Sequence, residues 1–158
     1  MDGRHRHLRI HRALILGAVA ALILVLPASA GGARVTRGDF HAFAAGTGMD
    51  ISGHAVMIRT ADGRTFVSIH VEGLAADTTY ASHVHKQACD NGDADGHYQH
   101  DGTAVNDENE IWPGFTTNAA GIGNGNARND FTARDSAMSV VVHRPGPTPN
   151  KIACADLR

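Results

Sequence analysis

The sequence predicts an all-β domain built as an antiparallel sandwich or barrel. Three observations predict it: short runs in which apolar and polar residues alternate, turn-forming clusters between those runs at regular spacing, and scarce helical signals throughout. Alternation puts every second side chain of a strand on one face, so each run can bury one face and solvate the other.

Residues 1–30 stand apart from this pattern. Arg4, Arg6, Arg9 and Arg12 form a basic start, Ala13 to Leu26 is an apolar stretch too short to span a bilayer comfortably, and Ala28-Ser29-Ala30 is a small-residue cleavage site. These are the marks of a secretory signal peptide, an uncleaved membrane anchor being the competing reading. No cysteine stands directly after the apolar stretch, so no lipid is expected on the mature N-terminus. The expectation is a secreted domain over residues 31–158 with no stable membrane insertion after cleavage, long enough for one hydrophobic core and too short for two.

Within that domain Ala33 to Gly46, with Val35 and Phe40, reads as one weak strand. His54 to Thr60 and Thr65 to Val71 alternate around Ala61-Asp62-Gly63, the signature of a hairpin. His70 shares its face with polar Ser68 and Glu72 and reads as a sheet-surface residue, while His41 and His54 read as partly exposed. Ala75 to Thr78 is a turn before the strand Tyr80 to Lys86. A loop rich in Asp, Asn and Gly follows Cys89. Its segment Asn91 to Gly96 imitates the start of a calcium loop, but Gly102 stands where a bidentate glutamate is required, so a solvated loop is expected.

Glu110 to Thr117 reads as a strand in which Trp112 and Phe115 pack on the core, with Trp112 alternatively walling a site from solvent. Asn118 to Gly121 is a turn and Ile122 to Ala127 a glycine-rich strand. Phe131 and Ala137 to Val142 supply the last long strands. Pro145, Pro147 and Pro149 make the next connection stiff and extended before the closing strand Ile152 to Leu157.

The chain has 14 Lys and Arg against 16 Asp and Glu, for a net charge of −2, and no basic run outside the leader. Nucleic-acid binding therefore has no electrostatic support.

Chemistry concentrates in Ser82-His83-Val84-His85. On a strand, His83 and His85 share a face and bring two imidazoles together, which is half of a metal site. His97 and His143 are the donors available downstream. Four neutral imidazoles with no thiolate or carboxylate suit a borderline metal, and a tetragonal all-nitrogen set favours Cu(II) over calcium or magnesium. In a chain with eleven histidines, an incidental surface pair is the alternative. His100, near Asp93, Asp95 and Asp101, reads as a solvated histidine or as part of a second metal site.

These residues also carry a resemblance. Ser68-Ile69-His70-Val71-Glu72-Gly73-Leu74, Ala81-Ser82-His83-Val84-His85, Cys89, Gly96-His97-Tyr98, Val140-Val141-Val142-His143 and Lys151-Ile152-Ala153-Cys154 occur in the order seen in the copper/zinc superoxide dismutase family, which the chain resembles from about residue 50 onward. The resemblance implies a Greek-key β-sandwich or flattened barrel. It matches His83, His85, His97 and His143 to four copper ligands, with His97 at the position that bridges to zinc. It also matches Cys89 and Cys154 to an intramolecular disulfide. Export to an oxidising compartment would let that pair close, contributing about 4 kcal/mol by chain entropy; two independent buried thiols are the alternative.

The chain departs from the bimetallic pattern. Tyr98 to Trp112 offers His100 as its one histidine, so the zinc site looks lost. Seven residues, Arg144 to Asn150, separate His143 from Lys151, so the charged loop looks deleted and the family's anion-guiding arginine is a lysine. This is the pattern of the copper-only secreted bacterial branch, in which a carboxylate near the bridging histidine stands where others have zinc. Glu110 is the candidate for that carboxylate and Glu108 the reserve.

The implied function is a copper-dependent superoxide dismutase, converting superoxide to oxygen and hydrogen peroxide, with His97 relaying protons, Glu110 orienting its ring, and Lys151 or Arg144 guiding the anion. A non-catalytic secreted copper-binding or copper-buffering protein on the same scaffold is the alternative.

Overall fold

The computed structural model describes residues 31–146 and 150–158. The leader expected over residues 1–30, and Pro147 and Pro149 of the stiff connection, lie outside the described residues. Among the described residues two antiparallel sheets form. In the first, β1 (Arg34–Asp39), β3 (Ser52–Arg59), β4 (Thr65–Glu72) and β7 (Gly123–Asn129) lie in the order β1-β3-β4-β7. In the second, β2 (His41–Ala42), β5 (Thr79–His85), β6 (Phe115–Thr116), β8 (Ser139–His143) and β9 (Lys151–Asp156) lie in the order β2-β9-β8-β5-β6. One 3-10 turn, Ala44–Gly46, follows β2, and no α-helix occurs among the described residues. The chain crosses between sheets after β1, β2, β4, β6 and β7, giving the expected Greek-key sandwich.

The core lies where the alternation places it. Thr65, Val67, Ile69 and Val71 of β4 point inward while Ser68 and Glu72 face solvent; in β3 Ala55 and Met57 are fully buried. They meet Tyr80 and Val84 of β5, Val140 and Val142 of β8, and Ile152 and Ala155 of β9. Each Val, Ile or Met so buried contributes about 1.5–3 kcal/mol relative to exposure. On the solvated face of the first sheet, His70 lies between Asn124 and Glu72, both 2.9 Å from its ring nitrogens, as befits a surface residue.

The second sheet is covered on both faces. Cys89, Ala94, Val141 and Cys154 form a smaller buried cluster on its outer side, with Phe43 packed against them. Cys89 and Cys154 are disulfide-bonded across a Cα–Cα distance of 5.8 Å, as the resemblance implied. Every residue of β8 is buried in consequence, which explains a continuous apolar run there instead of an alternating one.

Three elements differ from expectation. The single weak strand over Ala33 to Gly46 is two strands in different sheets, with the chain switching at buried Phe40. The switch needs close backbone approach: a Cβ on Gly38 would lie 1.7 Å from the Asp156 carbonyl. Arg37 and Arg158 exchange hydrogen bonds of 3.0 and 3.2 Å beside it, closing that side of the sandwich. Of the strand expected over Glu110 to Thr117, Phe115–Thr116 alone forms a strand, and residues 111–114 join no ladder. Phe131 lies in a bend after β7, not in a strand.

The glycines of β7 help position the site. A Cβ on Gly123 would meet the Phe115 ring at 2.1 Å, and one on Gly125 would meet the Pro113 carbonyl at 2.1 Å. Spaced two apart, they leave one face of β7 bare for the 113–115 segment. The chain just before that segment carries Glu110 and Trp112.

Candidate metal centre

β5 pairs with β8 so that Ala81 lies opposite His143 and His83 opposite Val141. Strand alternation then sends His83, His85 and His143 out of the same, outer face of the second sheet. Two loop segments dock on Val84, between the first two histidines. The Tyr98 amide donates to the Val84 carbonyl at 2.8 Å, and the Val84 amide donates to the Ile111 carbonyl at 3.0 Å. This docking sets His97 and Glu110 beside the histidine pair.

The four imidazoles form one cluster. Each offers one nitrogen, and these atoms all lie within 4.8 Å of one another. His83 sits 4.1 Å from His97 and 5.0 Å from His143, ring centroid to ring centroid, and His85 lies 5.0 Å from His97.

Hydrogen bonds fix which nitrogen faces inward. His85 Nδ1 donates to the Asp95 carbonyl at 3.0 Å, leaving the Nε2 lone pair for the cluster. His97 Nδ1 donates to Glu110 Oε2 at 2.7 Å, leaving its own Nε2. His83 Nδ1 and His85 Nε2 are buried and have no hydrogen-bond partner. Such an orphan costs about 1–3 kcal/mol unless something binds it. Buried imidazole lone pairs converging within reach of one cation fit a transition metal, and the absence of thiolate and carboxylate donors fits neither an iron–sulfur cluster nor calcium.

The electrostatics favour the neutral ligands that a metal requires. Burial, reinforced by His97 and His143, pushes the His83 pKa down to about 3; burial and His97 do the same to His85, also to about 3. An unfolded histidine titrates near ~6.5, so between that pH and 3 the unfolded chain binds more protons, and folding stability falls as pH falls. The metal-free protein should lose thermal stability steadily on acidification from pH ~6.5, and protons should displace the metal over the same window. Thermal unfolding against pH, with and without metal, checks both.

Glu110 is 1 % exposed at its side chain. Burial alone would raise its pKa, but hydrogen bonds from Trp112 and His97 outweigh burial and hold it below the ordinary carboxylate value. Trp112 Nε1 donates to Oε2 at 2.8 Å and Gln99 Nε2 donates to Oε1 at 3.1 Å. Glu108, the reserve, is exposed to solvent.

The two cations named from sequence both have their heads bound to backbone carbonyls. Lys151 Nζ donates to the carbonyls of Asp93 and Asp95, both at 2.6 Å, and Arg144 donates to the Ala45 carbonyl at 2.6 Å. Lys151 thus grips a turn in which Gly92, Asp93, Ala94 and Asp95 all have positive φ, and whose Asp95 carbonyl also receives His85. Those carbonyls belong to the segment that resembled a calcium loop. His100 stacks on Phe131 at 4.1 Å and lies 3.3 Å from the Tyr98 hydroxyl; it does not join the four-histidine cluster.

One residue of the site, Gln99, escaped sequence reasoning, and Trp112 was placed beside a site only as the second of two readings. Gln99 carried no signal. Trp112 was expected mainly in the core, yet it is 38 % exposed, with its ring 5.7 Å from His83.

No protein-family model matches the chain, and no curated protein matches it. Solved structures do. A glutamate-to-glutamine mutant of Candida albicans superoxide dismutase 5 superposes with a TM-score of 0.54 at 14 % identity, over 80 % of this chain and 91 % of that one. The Cu(II) form of the same Candida albicans protein gives 0.53 at 15 % identity, over 78 % and 90 %. The chain therefore has a superoxide dismutase-like fold.

Proposed function

We propose that the chain is a secreted, copper-dependent superoxide dismutase working without zinc. The observation that carries this reading is the cluster of four imidazoles whose ligand nitrogens all lie within 4.8 Å of one another, backed by a buried carboxylate on His97. His83, His85, His97 and His143 would hold copper, whose one-electron couple would turn two superoxide anions and two protons into oxygen and hydrogen peroxide. The Cu(II) neighbour supports the choice of metal for this fold.

The chain's own residues do the rest. His97 carries a proton on Nδ1 that Glu110 accepts as a hydrogen bond, so its ring stays oriented while Nε2 faces the cluster and can exchange with a ligand or a proton. His97 is also 30 % exposed, so protons can reach it from solvent. Glu110, charged and buried, would orient His97, the task that the family resemblance gives to zinc in a bimetallic site. Lys151 adds positive charge near the cluster and also steadies His85 through the shared Asp95 carbonyl.

Titrating Cu(II) into the disulfide-bonded protein while following superoxide loss tests the assignment: the rate should rise to a plateau at one copper per chain. Binding to the same stoichiometry with no turnover would support copper handling instead. Lys151→Met should lower the rate several-fold at low salt and flatten its dependence on ionic strength, because an anion-attracting charge is removed. An unchanged rate and salt profile would take Lys151 out of the site.

A further inference from the structure

Glu110 receives more than His97. Three donors converge on its two oxygens: His97 Nδ1 and Trp112 Nε1 on Oε2, at 2.7 and 2.8 Å, and Gln99 Nε2 on Oε1 at 3.1 Å. A carboxylate can rotate about its last bond, so one contact with a histidine does not hold it still; a second donor on the same oxygen does. The Trp112 indole has a single donor and no acceptor, so it can meet a carboxylate oxygen but cannot replace it as the partner of His97 Nδ1–H. The same indole lies edge-on to His83, 5.7 Å between centroids at 69°. One side chain therefore touches the first ligand histidine directly and reaches the third through Glu110, while 38 % of its surface remains exposed.

We propose that Trp112 is a positioning residue of the metal centre, its indole N–H locking Glu110 against His97 while its ring seats His83. This rests on the copper reading above and adds a component to it. A tryptophan that merely shielded the site would act independently of Glu110; one that works through the carboxylate cannot matter once the carboxylate is gone.

The test is a double-mutant cycle read as Cu(II) affinity by chelator competition, on the full disulfide-bonded domain. Trp112→Phe keeps an aromatic ring against His83 and deletes the donor; Glu110→Gln deletes the carboxylate. Each should weaken Cu(II) binding by about tenfold, the lower end of what disrupted outer partners of metal ligands cost. The double variant should bind no more weakly than Glu110→Gln alone. Effects that multiply, or a Trp112→Phe affinity within twofold of the wild type, would overturn the proposal.

A metal-free readout separates this failure from failure of the copper reading. The indole N–H resonance of the apo protein should be protected from exchange and should move in Glu110→Gln; an indole signal indifferent to that change would overturn the clamp. A wild type that holds no copper would sink the copper reading and the role assigned to Trp112 with it.

Discussion

Glu110→Gln should leave one copper per chain and lower superoxide turnover by about 10–100-fold, the usual cost of disrupting the partner of a metal-ligating histidine. The substitution preserves shape and removes charge. In the native protein two carboxylate oxygens serve three donors, from His97, Trp112 and Gln99. A glutamine offers one acceptor oxygen and turns an amide toward the donors facing the other position. In a pocket where the side chain is 1 % exposed, no water can restore the lost partner. His97 would then lose its orientation, while the other three imidazoles would still hold the proposed copper. Stopped-flow superoxide decay beside metal analysis reads both quantities. Full turnover in the variant would show that the carboxylate is a bystander.

The second large effect is on stability. Replacing both Cys89 and Cys154 by serine should cost about 2–5 kcal/mol and lower the melting temperature by about 10–20 °C. The bridge joins residues 65 positions apart, so its loss frees a long loop in the unfolded chain. It also removes the centre of the cluster that covers the outer face of β8. Cys89 lies at the root of the loop whose Asp95 carbonyl fixes the His85 tautomer, and its amide donates to Asp156 at 2.9 Å. Copper affinity should therefore fall together with stability. Calorimetry of reduced, oxidised and doubly substituted protein measures the first, chelator competition the second. A melting temperature within a few degrees of the native one would contradict the role given to the bridge.

Much of this architecture was legible because it follows from local rules. The β3–β4 hairpin announced itself through alternation around Asp62-Gly63, and His83 and His85 share a face on any strand. The order of Cys89, His97, His143 and Cys154 carried the resemblance that brought them together. What could not be read depends on contacts made only on folding. The break between β1 and β2 is set by the approach of Gly38 to Asp156, more than a hundred residues away. The grip of Lys151 on Asp93 and Asp95 requires four successive left-handed residues, of which Gly92 alone is a glycine and Ala94 gives no local cue. For Trp112 core packing was read ahead of a wall beside the site because a lone tryptophan usually packs in a core, whereas here its N–H has a buried carboxylate to satisfy.

The central claim is that four histidines hold copper for superoxide chemistry with Glu110 in the orienting place of a second metal. The most direct measurement is the superoxide decay rate per bound copper, with metals quantified, in samples loaded with copper alone and with copper plus zinc. One copper and no retained zinc per chain are expected, with fast turnover that zinc leaves unchanged. Turnover that appears only when zinc is bound, or stoichiometric copper with no turnover at all, would contradict it.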